Sequence, residues 1–267
     1  MGKHILFRRL HLFEFNDSPF CPAFLRNSVV EILGRTIKSA GFYDPVLPIF
    51  NQFCDTSKCT EILDLCSGSG VPIASLLESL QKKGKTDIRF HLSDLYPLEY
   101  NQAFAAQNPP HSTSYTKTPI DAVNIGESPE HQARTLIAAF HHFRPEQARK
   151  ILEDTVKSNK AIFILEPFPR QIKTTLPFII KSFIPGMLNP LHSREDKILK
   201  MLFTTIIPII PLIGWWDTIV SALRMYNREE YLELVKDFNH YQWNYQELPI
   251  SMGGVVTVFT GIPIDQK

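Results

Sequence analysis

The 267-residue sequence predicts an α/β fold, a doubly wound, seven-stranded and mostly parallel sheet with an N-terminal helical region and an apolar cap insert. Three observations carry that reading. Strand-like and helix-like segments alternate between residues 61 and 165. A turn of small residues, Cys66-Ser67-Gly68-Ser69-Gly70, follows the first strand. Two β-rich segments flank Ser251-Met252-Gly253-Gly254 near the end of the chain, as in a hairpin.

The elements follow in order. Residues 1–58 read as an N-terminal helical cap, and 59–267 as the sheet domain. Phe13, Phe15, Phe20 and Phe24 surround Asp17, Pro19 and Pro22 in an aromatic-rich entry loop. Asn27 to Ala40 places Val29, Val30, Ile32, Leu33 and Ile37 on one side, the pattern of an amphipathic helix. Residues 41–53, punctuated by Pro45 and Pro48, have room for one short helix. Strand-like residues 61–65 lead into a helix over 71–83. A second strand spans 88–92 and ends in Ser93-Asp94. A helix over 96–107 is stopped by Pro109 and Pro110. Residues 113–118 make a weak third strand and 135–140 a fourth, which ends in His141-His142-Phe143. Pro145 suits the first turn of a helix that runs to 158. The fifth strand, 161–165, ends at Glu166-Pro167. The insert, 168–216, reads as proline-rich and irregular. A helix over 217–239 and strands over 243–248 and 255–260 complete the chain.

Composition narrows the function. Net charge is +1, from 28 basic against 27 acidic residues, which gives no electrostatic argument for a nucleic-acid partner. Cys21, Cys54, Cys59 and Cys66 fit no paired zinc spacing, so no metal is expected and the cysteines read as reduced. The apolar run Met201–Trp216 contains Pro208 and Pro211 and is shorter than a spanning helix needs. Met1 to Phe15 has no secretory apolar core, so a cytoplasmic location is expected.

The chemistry concentrates at Asp64 to Gly70. A turn with so little side-chain bulk lets a ligand reach backbone N–H groups at a helix N-terminus. In a doubly wound sheet this is where nucleotide-like ligands bind. The spacing of Gly68 and Gly70 fits neither G-x-G-x-x-G nor a P-loop. Asp64-Leu65-Cys66-Ser67-Gly68-Ser69-Gly70 resembles the first motif of class I S-adenosylmethionine-dependent methyltransferases, acidic–apolar–G–x–G–x–G. Cys66 stands at the first glycine, where a positive φ would be strained.

The resemblance implies S-adenosylmethionine as cofactor, bound by Asp64, Cys66, Ser67, Gly68 and Gly70. It places Asp94 on the ribose hydroxyls with Leu95 beside it, Asp121 at the adenine amino group and Ala122 along the ring. A carboxylate suits paired hydroxyls because it offers acceptors and no donor. Asp94 and Asp121 also fit ordinary cap and turn roles.

His141 and His142 would sit under the methyl-transfer position and are the expected catalytic residues. Imidazole titrates near working pH and suits a general base or a cofactor hydrogen bond. The alternative is that they cap the strand and hold the Pro145 helix. Glu166 reads either as a residue of the same rim or as a plain loop carboxylate. The Asp/Asn-Pro-Pro-aromatic motif of amino-methylating enzymes is absent at this place. Phe13-Glu14-Phe15, Asp17, Pro208, Pro211, Trp216, Asp217, Ser221, Arg224 and Tyr226 resemble a poorly characterised bacterial subgroup of these enzymes. Arg224 and Tyr226 read as substrate contacts or as residues that dock a helix on the sheet.

The expectation is methyl transfer to a small, lipophilic acceptor in a pocket capped by 168–216. The insert also fits a dimer interface or a peripheral membrane contact with Lys173, Lys181, Lys197 and Lys200 toward head groups. An inactive scaffold of the same fold and an aminopropyl transferase are the rival readings.

Overall fold

The computed structural model describes residues 8–18, 20–39, 41–68, 70–84, 87–97, 112–192, 196–251 and 254–264. Strands β1 (Glu61–Asp64), β2 (Arg89–Leu92), β3 (Thr113–Tyr115), β4 (Ala133–Ile137), β5 (Ala161–Glu166), β6 (Tyr241–Pro249) and β7 (Val255–Pro263) form one sheet. Its order is β3-β2-β1-β4-β5-β7-β6. The first five strands run parallel, while β7 runs antiparallel between β5 and β6. The doubly wound sheet and the terminal hairpin are therefore as expected.

Helices cover both faces, so the central strands are buried from end to end. Every residue of β4 and β5 is buried. Alternate residues feed two cores. Ile62, Phe90, Phe163 and Leu165 face one side, with Ile73 and Leu76 of α3 (Val71–Lys82). Leu63, Leu136, Ile162 and Ile164 face the other, with Ile151 and Leu152 of α4 (Pro145–Lys157).

Two further helices precede β1, α1 (Ala23–Ser39) and α2 (Val46–Ser57). The α2 helix joins the first core directly. Its Phe50 is fully buried and meets Phe163 edge-on at 5.0 Å and Phe90 in a stack at 6.1 Å.

Sequence and structure differ in four places. The insert is helical rather than irregular. Helix α5 (Ile172–His192) continues through Pro177, Pro185 and Pro190, and a short α6 (Lys197–Met201) runs into a π-turn at Leu202–Ile206. Local breakers lose here to tertiary packing of α5 against α1 and α7. Close approach is part of that packing, since a Cβ on Gly186 would come within 3.1 Å of Pro211.

Second, α7 (Ile209–Arg224) starts well before residue 217, with Pro211 tolerated in its first turn. It ends before a separate α8 (Arg228–Val235), where Asn227 and Glu230 cap each other reciprocally. Third, β4 stops at Ile137. Ala138 adopts φ +53° and donates its N–H to Leu165 O at 2.7 Å, and Phe140–His142 form a 3-10 turn. The histidines thus stand on a turn, not on the strand. Fourth, residues 8–18 contain no helix. The helix expected over 96–107 lies largely outside the described residues.

Phe50→Ala should lower the unfolding free energy by about 3–5 kcal/mol, because it leaves a cavity among Phe53, Phe90 and Phe163. Urea unfolding measures this. A loss below about 1 kcal/mol would mean that α2 is not part of the main core.

Candidate functional site

The strand order reverses between β1 and β4, and a crevice opens where their C-terminal ends diverge. Asp64, the last residue of β1, is buried there. Its Oδ1 accepts from Thr135 Oγ1 of β4 at 2.6 Å, and its Oδ2 accepts from Ser67 Oγ of the loop at 2.6 Å. Burial pushes this carboxyl up to about 7 against the pull of both hydroxyls. Its role is therefore positional: it pins the loop and β4 to β1. Ser93 completes the frame. Its N–H and Oγ both donate to Asp64 O, and its carbonyl accepts from Ser67 N at 2.9 Å.

The loop then turns through three left-handed residues. Cys66 has φ +58°, Gly68 +51° and Gly70 +73°. Cys66 is thus a side-chain-bearing residue in a conformation that favours glycine, at a cost of roughly 1–2 kcal/mol. Its half-buried side chain packs against the second core, and burial pushes the thiol up, so it is a packing group and not a nucleophile. Ser69 lies outside the described residues.

Asp94 follows β2. Its Oδ2 accepts from Gly68 N at 2.8 Å and its Oδ1 from Tyr96 N at 2.9 Å. Two carboxylate oxygens carry about four lone-pair sites, so half of the acceptor capacity remains. Leu95 beside it is exposed. Asp121 is exposed and its Oδ1 accepts from Val123 N at 2.8 Å, while Ile120 N donates to Asp94 O. Ala122 points into the second core. The structure therefore gathers Asp64, Cys66, Ser67, Gly68, Gly70, Asp94 and Asp121 around one end of the crevice. It gives Asp64 and Ala122 inward-facing side chains.

The other wall is the 3-10 turn. His141 is buried, its N–H donates to Glu166 Oε1 at 2.9 Å, and its Nδ1 lies 2.7 Å from Glu166 Oε2. Glu166 ends β5, so parallel pairing of β4 and β5 brings these two residues together. Burial pushes the Glu166 carboxyl up to about 8 and the His141 imidazole down to about 3. Both directions disfavour separated charge, so the pair shares one proton and titrates as a unit. His141 Nε2 is buried and has no hydrogen-bond partner among the described residues.

His142 is half-buried, its ring 4.3 Å from that of His141. Across it lies a strap formed by residues 8–18, which the sequence reading assigned to the helical cap and its aromatic entry loop. Leu10 N donates to Leu223 O, and Asp217 accepts from the backbone of Phe15 and Asn16. Arg224 of α7 is buried at the centre. It donates to Asp17 Oδ2 at 2.7 Å and to Leu12 O, and its Nη1 lies 3.1 Å from Glu14 Oε1. His142 Nδ1 lies 3.0 Å from Asp17 Oδ1.

Arg9 donates to the carbonyls of Phe143 and Arg224 and covers the Tyr226 ring at 4.0 Å. Arg224 and Tyr226 accordingly dock the strap and α7 at the site. Burial pushes Glu14 up to about 7. Desolvation works the same way on Asp17, but contacts with His142 and Arg224 outweigh it and hold that carboxyl below its usual range. Ligand atoms of Glu14, His141 and His142 lie within 4.8 Å of one another, and the Arg224 guanidinium supplies positive charge at that place.

Neither a family model nor a curated protein matches the sequence. Solved structures do match the fold. The plantazolicin methyltransferase BpumL, solved with SAH, is 13% identical with a TM-score of 0.56, over 93% of this chain and 92% of its own. The chain has the class I S-adenosylmethionine-dependent methyltransferase fold. TnmH follows at 12% identity and TM-score 0.51, over 89% of this chain and 57% of its own. The O-methyltransferase NcsB1 from neocarzinostatin biosynthesis, solved with S-adenosyl-L-homocysteine and 1,4-dihydroxy-2-naphthoic acid, is 13% identical with a TM-score of 0.50. That match covers 87% of this chain and 56% of NcsB1. In this fold the Asp64–Gly70 loop and the 140–142 turn occupy the two sides of the sheet's switch point.

Two outcomes follow from these environments. Cys66→Gly should be nearly neutral in stability, since relief of the left-handed φ offsets added freedom of the unfolded chain, whereas Cys66→Val should cost about 1–2 kcal/mol more. Denaturant midpoints would compare them.

The His141–Glu166 pair should also make stability fall on the alkaline side. Above about pH 6.5 the unfolded imidazole has lost its proton, while the folded pair keeps one to about 8, so the folded state binds more protons and stability falls as pH rises. The loss should be on the order of 1–2 kcal/mol between those limits. Glu166→Gln should flatten that part of a urea-unfolding pH series.

Proposed function

We propose that this chain transfers a methyl group from S-adenosylmethionine to a hydroxyl of a small, lipophilic acceptor. The cofactor's fit rests on the loop. A Cβ built on Gly68 meets nothing within 4 Å, so there is space for a ligand beside the loop there. Asp94 is half-buried next to it with acceptor capacity left for paired hydroxyls. Cys66, Ser67 and Gly70 shape the loop, and Leu95 and Asp121 extend the same wall toward an adenine ring, with Ala122 packed in the core behind them.

The observation that carries the hydroxyl acceptor is the buried His141–Glu166 pair, whose Nε2 is unpartnered beside His142 and Glu14. S-adenosylmethionine supplies an electrophilic methyl on a sulfonium. The chain's part is to hold the acceptor and take its proton. When the pair has lost its shared proton, Glu166 holds Nδ1–H and leaves Nε2 a lone pair that can take a proton. The acceptor's O–H proton passes to that nitrogen as its oxygen gains the methyl. His142, set by Asp17 and Arg224, orients the acceptor. The strap and the apolar helices after β5 keep water from the crevice, which favours a nucleophile that must approach a cation. NcsB1, with its bound dihydroxynaphthoic acid, gives a chemical precedent within the fold for such an acceptor.

Calorimetry should detect binding of S-adenosylhomocysteine, weakened about 10- to 100-fold in Asp94→Ala. Absence of heat with the unmodified chain would overturn the reading. In a methyl-transfer assay over hydroxylated aromatic and lipidic acceptors, kcat/KM should rise with pH toward a midpoint of about 8. Glu166→Gln should lower kcat by about 10²–10⁴-fold and remove that rise. A pH profile unchanged by Glu166→Gln would exclude the pair as the base.

A further inference from the structure

We infer that the α5–α7 cap is a docking surface for an anionic lipid bilayer. On α5, Leu176, Ile180, Ile184, Leu188 and Leu191 are all exposed. At about 100° per residue these five positions fall within an arc of roughly 120°, a continuous apolar stripe along one helix face. The elements packed next to it add Ile198, Met201, Ile206 and Leu212, with Ile198 87% and Ile206 75% exposed. Monomeric soluble domains rarely leave so much contiguous aliphatic surface without a partner. Trp215 and Trp216 sit half-exposed midway along α7, where their indole N–H groups donate to Ile179 O of α5 and to Phe13 O of the strap, an amphipathic placement suited to a membrane interface.

Charge selects the partner. Residues 172–216 contain Lys173, Lys181, Arg194, Lys197 and Lys200 against Glu195 and Asp196, an excess of three positive charges. Lys173 and Lys197 are exposed, while Lys200 turns inward to Glu31 at 2.7 Å, a departure from the expected head-group role. In a twofold contact between two copies the patch meets itself, which brings lysines toward lysines. An anionic head-group layer instead complements them while its acyl boundary takes the aliphatic stripe.

No single described helix is long and apolar enough to cross a membrane. The apolar pair Lys197–Ile206 and Ile209–Arg224 is bent by 71°. This geometry fits a surface that lies on the bilayer. The C-terminal half of the same α7 carries Asp217, Ser221 and Arg224, which hold the strap against His142. The docked face and the crevice are therefore joined by one helix.

The test is sedimentation of the full chain with phosphatidylcholine vesicles, with and without phosphatidylglycerol. Binding is expected to the anionic vesicles, to weaken with salt, and to drop about tenfold or more in Ile180→Ser/Ile184→Ser/Leu188→Ser. These side chains are solvent-exposed, so the variant should keep its unfolding midpoint and its heat of S-adenosylhomocysteine binding. Those two readouts separate failure of this surface from failure of the fold or of the cofactor reading. A chain that ignores vesicles and runs as a dimer, broken by the same variant, overturns the proposal in favour of a second copy. A monomer that ignores both vesicle types overturns it as well.

Discussion

A single buried carboxylate organises the central part of the molecule. Asp64 holds hydroxyls from two directions, Thr135 on the neighbouring strand and Ser67 on the loop. Burial alone would expel an isolated charge of this kind, and two short hydrogen bonds are what make the position tolerable. The result is a loop whose path is fixed relative to both strands at the point where the sheet changes direction. Asp94 then extends the frame by accepting the next N–H of the loop. This wall of the crevice is thus held in place because each polar group in it is anchored by another.

The opposite wall obeys different physics. His141 and Glu166 lie 25 residues apart and meet only because their strands are parallel neighbours. Desolvation raises one member and lowers the other, so a proton is shared between groups that would separate charge in water. Next to them, Arg224 concentrates positive charge among Glu14, Asp17 and His142. A buried guanidinium needs such partners, and truncating either side would leave an uncompensated charge. The crevice therefore has one wall of fixed acceptors and another of coupled acids and bases.

The sheet was legible in the sequence because its strands are buried on both faces and read as apolar runs between small-residue turns. The Asp64–Gly70 turn and Asp94 were legible for the same reason, since strand ends in such a sheet are few. Cys66 could be flagged, but its positive φ could not be read without the loop's hydrogen bonds. The insert was misread because Pro177, Pro185 and Pro190 count locally as breakers, while packing against α1 and α7 carries the helix through them. The pairing of His141 with Glu166 was hidden because it is a property of register. Glu14 and Asp17 showed no periodicity, and their partners stand near the other end of the chain.

That last separation bears on how the protein is made. The strap leaves the ribosome before the sheet, yet Leu12 O and Asp17 find their donor at Arg224, 212 and 207 residues later. Contacts of such long range are among the last that a chain can form. During synthesis the strap's acids and aromatic residues must wait unpaired while the parallel strands assemble beneath them. These contacts therefore form only when α7 has emerged, and a chain released before Arg224 could pair its five parallel strands but would leave the strap without its buried donor.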